Sequence, residues 1–199
     1  MPQKLTAHTG MDAMTHAIEA YVSTLHCDYT DPLALHAIKL IHNNLKKSYD
    51  GDMIARDTMH NAQCLAGMAF SNVGLGVVHG MAHPLGAIFD IPHGVANALL
   101  LPIIMEFNAP AALDKYVEIA KAMTVYKEGM SQEEAARAAV DAVRALSVRV
   151  GIPQHLSELG IKESDLDKLA TAAIADVCTP GNPREVTKEI ILDLYKKAL

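Results

Sequence analysis

Val77-Val78-His79-Gly80-Met81-Ala82-His83-Pro84-Leu85-Gly86-Ala87-Ile88 and, after Asp90-Ile91-Pro92, His93-Gly94-Val95-Ala96-Asn97-Ala98-Leu99-Leu100-Leu101-Pro102-Ile103-Ile104-Met105-Glu106-Phe107 decide the fold. Wound as helices, both segments are apolar on nearly every side. Helices of that kind are central and are buried by their neighbours. Gly74-Leu75-Gly76 breaks the chain before the first, and Asn108-Ala109-Pro110 ends the second. The rest of the sequence must therefore supply helices that cover this pair.

It does so on both sides. One helix is predicted over about Gly10 to Thr24, with Thr9 and Asp12 placed as a capping box. A second is predicted from Asp31-Pro32, Asp as cap and Pro at the first helical position, to Ser48. Asp50-Gly51 turns the chain, and a third helix spans about Met53 to Phe70. After Pro110, Leu113 to Val125 and Gln132 to Val150 are amphipathic. Ser131 and Glu134 form a capping box, and Ala139, Val140, Val143, Leu146 and Val150 make one apolar stripe. Ser164 with Asp167 caps a helix to about Ala175. Cys178 to Arg184 reads as a loop, and Thr187 caps a final helix. No segment alternates with period two, so the expected fold is all-α in a single domain over residues 1–199.

Composition narrows the function. Half of the residues are hydrophobic and the net charge is −6, with no basic stripe, which argues against disorder and against nucleic acid as a partner. Cys27, Cys64 and Cys178 are too few and too scattered for a disulfide framework or a purely thiolate zinc site. Residues 1–10 carry no signal-peptide pattern, and the longest apolar run, around Val95 to Met105, is short for a membrane span. A cytoplasmic protein with no membrane partner is expected.

Ten histidines are present, and most need no special account. His8, His26, His36, His42, His60 and His155 sit among polar residues or on exposed helix faces. Asp12 and His16 differ: they lie four apart on one predicted helix, one turn apart on the same face. His79 and His83 repeat that spacing in the least polar part of the chain, and His93 opens the next helix. Taken singly, each could be satisfied by a cap or a backbone carbonyl. Jointly, imidazoles and a carboxylate in apolar surroundings fit a borderline divalent ion such as Fe²⁺ or Zn²⁺. Spacing leaves open which three of His16, His79, His83 and His93 bind, although the i,i+4 pair favours His79 with His83.

At these residues the chain resembles a known family. Leu5-Thr6-Ala7-His8-Thr9-Gly10-Met11-Asp12-Ala13-Met14-Thr15-His16-Ala17-Ile18-Glu19 is similar to the segment around the first two metal ligands of iron-containing, group III alcohol dehydrogenases. Gly67 to Gly76, Val77 to Ala87 and Pro92 to Asn97 resemble the second signature, and Asp176-Val177-Cys178-Thr179-Pro180-Gly181-Asn182-Pro183-Arg184 the closing motif. The likeness covers essentially the whole chain and leans toward the branch of lactaldehyde reductases and 1,3-propanediol dehydrogenases. It implies the helical C-terminal domain of a dehydroquinate synthase-like fold. It also implies that Asp12, His16, His79 and His93 hold the metal, while His83 faces the nicotinamide and relays a proton. Leu5 and Leu75 would lie near the cofactor, with Phe70 and Cys178 lining the substrate pocket.

The family's N-terminal NAD- or NADP-binding domain has no counterpart here, since no strand precedes Gly74-Leu75-Gly76 and the third glycine is missing. The resemblance thus implies half of an enzyme for small alcohols, diols or aldehydes. By itself that half is expected to be inactive and, with an apolar face uncovered, to form homo-oligomers. The competing readings are a metal-dependent helical hydrolase, disfavoured by the absence of a His-Asp dipeptide and of a basic cluster, and a non-catalytic assembly fragment.

Overall fold

The computed structural model describes residues 1–199 and contains nine α-helices, short 3₁₀ turns and no strand. They are α1 (Gln3–Val22), α2 (Thr30–Tyr49), α3 (Met53–Val73), α4 (Val77–Phe89), α5 (His93–Asn108), α6 (Leu113–Ala122), α7 (Gln132–Arg149), α8 (Leu166–Ile174) and α9 (Lys188–Ala198). The all-α expectation holds. α1 packs on α2, α3 and α5; α4 packs on α5 and α8; α6 pairs with α7, and α8 with α9. One apolar cluster of 57 buried residues connects these layers.

The two apolar helices lie where their composition requires. Val77, Val78, Met81, Ala82 and Leu85 of α4 are buried, as are Leu99, Leu100, Leu101, Ile104 and Met105 of α5. With the 3₁₀ turn after it, α5 extends the apolar stretch to His93–Ala111, long and apolar enough to cross a membrane, which corrects the shorter run read from sequence. Of that stretch 67% is buried inside the protein, as in a core helix. Between α3 and α4 the chain bends by 102°. Gly74 makes the bend with φ 72°, a conformation that favours glycine.

Three expected caps are absent. α1 begins at Gln3, so Thr9 lies inside the helix and its hydroxyl donates back to Leu5 O at 2.9 Å. Asp12 is thereby free of capping. Tyr29, not Asp31, precedes α2; the Asp31 carboxylate instead meets Lys115 Nζ at 3.0 Å and His26 Nδ1 at 3.1 Å. Near α8 the acceptor is Asp165, which takes the Lys162 N–H at 2.9 Å in a 3₁₀ turn, rather than Ser164. The Ser131–Glu134 box and the Thr187 cap form as expected.

Candidate metal centre and adjoining cleft

α1, α4 and α5 meet at one end of the core, and each brings polar side chains to the junction. Ligand-type atoms of Asp12, His16, His79 and His93 all lie within 4.8 Å of one another. Asp12 Oδ2 is 3.9 Å from His16 Nδ1, and Asp12 Oδ1 is 3.9 Å from His79 Nε2 and 3.5 Å from His93 Nε2. Donors about 2.1 Å from a common divalent ion stand roughly 3 to 4.2 Å apart, so these spacings fit such an ion. One carboxylate with three imidazoles is a donor set for Fe²⁺ or Zn²⁺. Burial holds the His16 imidazole down to about 4, with the Asp12 carboxylate opposing, and burial also lowers His93. Neutral rings keep their lone pairs available as donors.

The partners around this set were not legible in the sequence. His79, 1% exposed, sets Nδ1 2.6 Å from Glu19 Oε2, and Glu19 is itself 3% exposed. The other Glu19 oxygen accepts the Val78 N–H at 2.7 Å, while Val77 N–H reaches Asn182 Oδ1 at 3.4 Å. Two distant side chains therefore cap α4, which has no local cap of its own. A carboxylate on the far nitrogen of an imidazole fixes its tautomer and turns Nε2 toward an ion. Gly76 lets the carboxylate approach: a Cβ there would sit 2.9 Å from Glu19 Oε1. Asn97, fully buried one turn after His93, donates from Nδ2 to Asp12 Oδ1 at 2.6 Å, and the same nitrogen lies 2.9 Å from His93 Nε2 and 3.0 Å from His79 Nε2.

His83 does not join this set, although it follows His79 by one turn. It lies beside Asp176, Nδ1 to Oδ2 2.8 Å, and its ring stacks on His93 with centroids 5.5 Å apart. Phe70 covers the other flank, stacked on His16 at 4.4 Å. Phe70, Leu75 and Cys178 line one cleft of about 550 Å³, whose rim carries Leu25 and Val177, two of the most exposed large apolar residues. Leu5 is exposed on α1 and is not part of that cleft. None of the six histidines read as ordinary contributes to either polar cluster.

One carboxylate and three imidazoles thus gather at one end of an all-helical core, beside an apolar cleft, as a candidate metal centre. Residues 6–199 match the C-terminal part of the Fe-containing alcohol dehydrogenase family, and the chain belongs to that family. It is 54% identical over its full length to lactaldehyde reductase of Escherichia coli strain K12, covering 52% of that protein. It is 50% identical to an NADPH-dependent butanol dehydrogenase of Clostridium saccharobutylicum, with 98% of this chain and 51% of that protein aligned. The crystal structure of a 1,3-propanediol oxidoreductase superposes with a TM-score of 0.98 at 44% identity, over 100% of this chain and 53% of that one. The chain thus spans about half the length of the relatives it matches.

Proposed function

We propose that this chain is the metal-binding part of an NAD(P)-dependent alcohol dehydrogenase or aldehyde reductase acting on small primary alcohols, diols or aldehydes. Convergence of Asp12, His16, His79 and His93 within 4.8 Å, at the end of the core that adjoins the cleft, carries the reading. These four would hold Fe²⁺ or Zn²⁺, and such an ion supplies Lewis acidity that lowers an alcohol's pKa or polarises an aldehyde carbonyl. Glu19 and Asn97 keep two imidazoles and the carboxylate oriented. His83, held by Asp176, takes or returns the hydroxyl proton. Phe70, Leu75 and Cys178 shape the space for a short carbon chain, and the apolar helices exclude water from it. Leu5 and Leu75 would face the nicotinamide, which is bound by a separate nucleotide-binding half. The exposed Leu25 and Val177 at the cleft rim are where that half would sit, and while uncovered they favour self-association.

Elemental analysis of the purified chain beside a His79→Ala, His93→Ala double variant tests the metal. About one iron or zinc per chain, absent from the variant, is expected. Joining the chain to the N-terminal half of the E. coli lactaldehyde reductase tests the rest. Aldehyde reduction by the joined protein, absent from the chain alone and from the joined double variant, is expected. A chain that retains no metal, or a joined, folded, metal-loaded protein that reduces no aldehyde, overturns the proposal.

A further inference from the structure

The second polar cluster of the molecule has the make-up of a cation site in its own right. Asp176 and Cys178 stand in the turn that follows α8, and this turn folds back against α4. The Cys178 N–H donates to Asp176 Oδ1 at 2.9 Å, which fixes one carboxylate oxygen and leaves the other toward His83 Nδ1 at 2.8 Å. Ligand-type atoms of His83, Asp176 and Cys178 all lie within 4.8 Å of one another, separately from the Asp12 set. The cluster is also reachable. The His83 side chain is 39% exposed, Asp176 is 15% exposed, and Cys178 is half-buried on the cleft wall.

We propose that His83, Asp176 and Cys178 form a second divalent-cation site, of the nitrogen–oxygen–thiolate kind that takes Zn²⁺ or Co²⁺. Three protein donors leave the fourth tetrahedral position to water. Thiolate is the soft ligand that distinguishes this site from the Asp12 set, which has none. Binding releases one proton per ion. The Cys178 S–H bond breaks, its proton goes to solvent, and a sulfur–metal bond forms. The His83 Nδ1–H that faces Asp176 Oδ2 gives way to the ion, the ring takes its hydrogen on Nε2 instead, and Asp176 supplies its negative charge. Burial, with Asp176 and Glu19 nearby, holds the Cys178 thiol up to about 12, so the second ion binds more weakly than the first. If His83 relays the proton as proposed above, an ion on Nδ1 leaves Nε2 protonated, so the ring has no free nitrogen to take a proton and excess zinc inhibits. The inhibition rests on that reading, whereas the binding site does not.

Cobalt distinguishes the two sites in this chain directly, because only a thiolate ligand gives the near-ultraviolet sulfur-to-cobalt charge-transfer band. The chelator-stripped protein is titrated with Co²⁺ while its helical circular dichroism is followed. The band should rise with the second equivalent and vanish in Cys178→Ala. It should need more than tenfold higher Co²⁺ in Asp176→Asn and persist in Cys27→Ser, Cys64→Ser. The His79→Ala, His93→Ala variant, if folded, should give the band with its first equivalent. A folded chain that shows no band up to several equivalents overturns the site, and so does a band that survives Cys178→Ala. Failure of the Asp12 set to retain iron or zinc, by contrast, would leave the band in place.

Discussion

His79 and His83 stand one turn apart on α4, yet they belong to two regions of opposite character. His79 faces α1 and α5, is 1% exposed, and has one nitrogen locked by a buried carboxylate. His83 faces the turn after α8, is 39% exposed, and pairs with a carboxylate that is itself reachable from solvent. Same residue type, same helix and same spacing therefore give a buried imidazole held by a buried carboxylate in one case and a partly exposed one in the other. What differs is the neighbour. Around His79 the neighbours Glu19 and Asn97 are themselves buried, whereas the turn beside His83 carries Cys178 to the cleft wall.

The sharpest break of this contrast is removal of each imidazole in turn. His79→Ala should abolish retention of the tightly bound ion through dialysis. His83→Ala should leave it near one per chain, as elemental analysis will read; equal losses would mean that the two histidines are not divided as described. The supporting carboxylates should divide the same way. Glu19→Gln should weaken the tight ion by about 10–100-fold, by analogy with lost carboxylate–imidazole partners. Asp176→Asn should shift it by about twofold or less, being outside that set. Competition with a coloured chelator measures both. Glu19→Gln also weakens the cap on α4, so its melting temperature should fall whether or not metal is present.

Much of the fold was legible because the deciding signals are local. Ser131 with Glu134, Thr187, the Gly74–Gly76 break and the all-round apolarity of α4 and α5 are each read within a few residues. The same locality misled at Thr9 and Asp12, where a polar pair at capping spacing lies inside a helix that had already begun at Gln3. Asp12 and the three family-implied histidines were found by residue type and resemblance. Their partners were not, since Glu19 is 60 residues from His79, Asn97 is 85 from Asp12 and Asp176 is 93 from His83. Glu19 gave one faint signal, an acidic residue on the buried side of an otherwise apolar helix turn. Spacing also grouped His79 with His83. It could not anticipate that α4 is gripped by α1 and α5 on one side and by the loop after α8 on the other.

Asn97 sharpens the picture of the deep region. Its Nδ2 touches three of the four donor side chains, and its Oδ1 is buried without a partner, so the amide is placed for the cluster rather than for the core. Asn97→Leu keeps the volume and removes the donor. The expected result is a weaker tight ion by about tenfold, since Asp12 loses the bond that orients it. An unchanged affinity in a folded variant would reduce Asn97 to packing. Gly181→Ala probes the shallow side. A Cβ there would lie 2.1 Å from Leu75 O, so the loop must move, at a cost of about 1–3 kcal/mol. Thermal unfolding reads that cost, and the cobalt band reads whether Cys178 moves with the loop.

The smallest effect is a matter of rate. Cys27 is fully exposed, and hydrogen bonds from Thr30 lower its thiol below the ordinary value. Cys178 lies in the cleft wall, and burial with Asp176 beside it pushes its thiol up to about 12. Because only the thiolate reacts, iodoacetamide near pH 8 should modify Cys27 early and Cys178 last, as peptide mass mapping over time will show. Added Zn²⁺ should slow Cys178 further and leave Cys27 unchanged. Rapid alkylation of Cys178 in the folded chain would mean that the shallow region is looser than the packing against α4 implies. It would also move the boundary between the two regions from the α8 turn up to His83 itself.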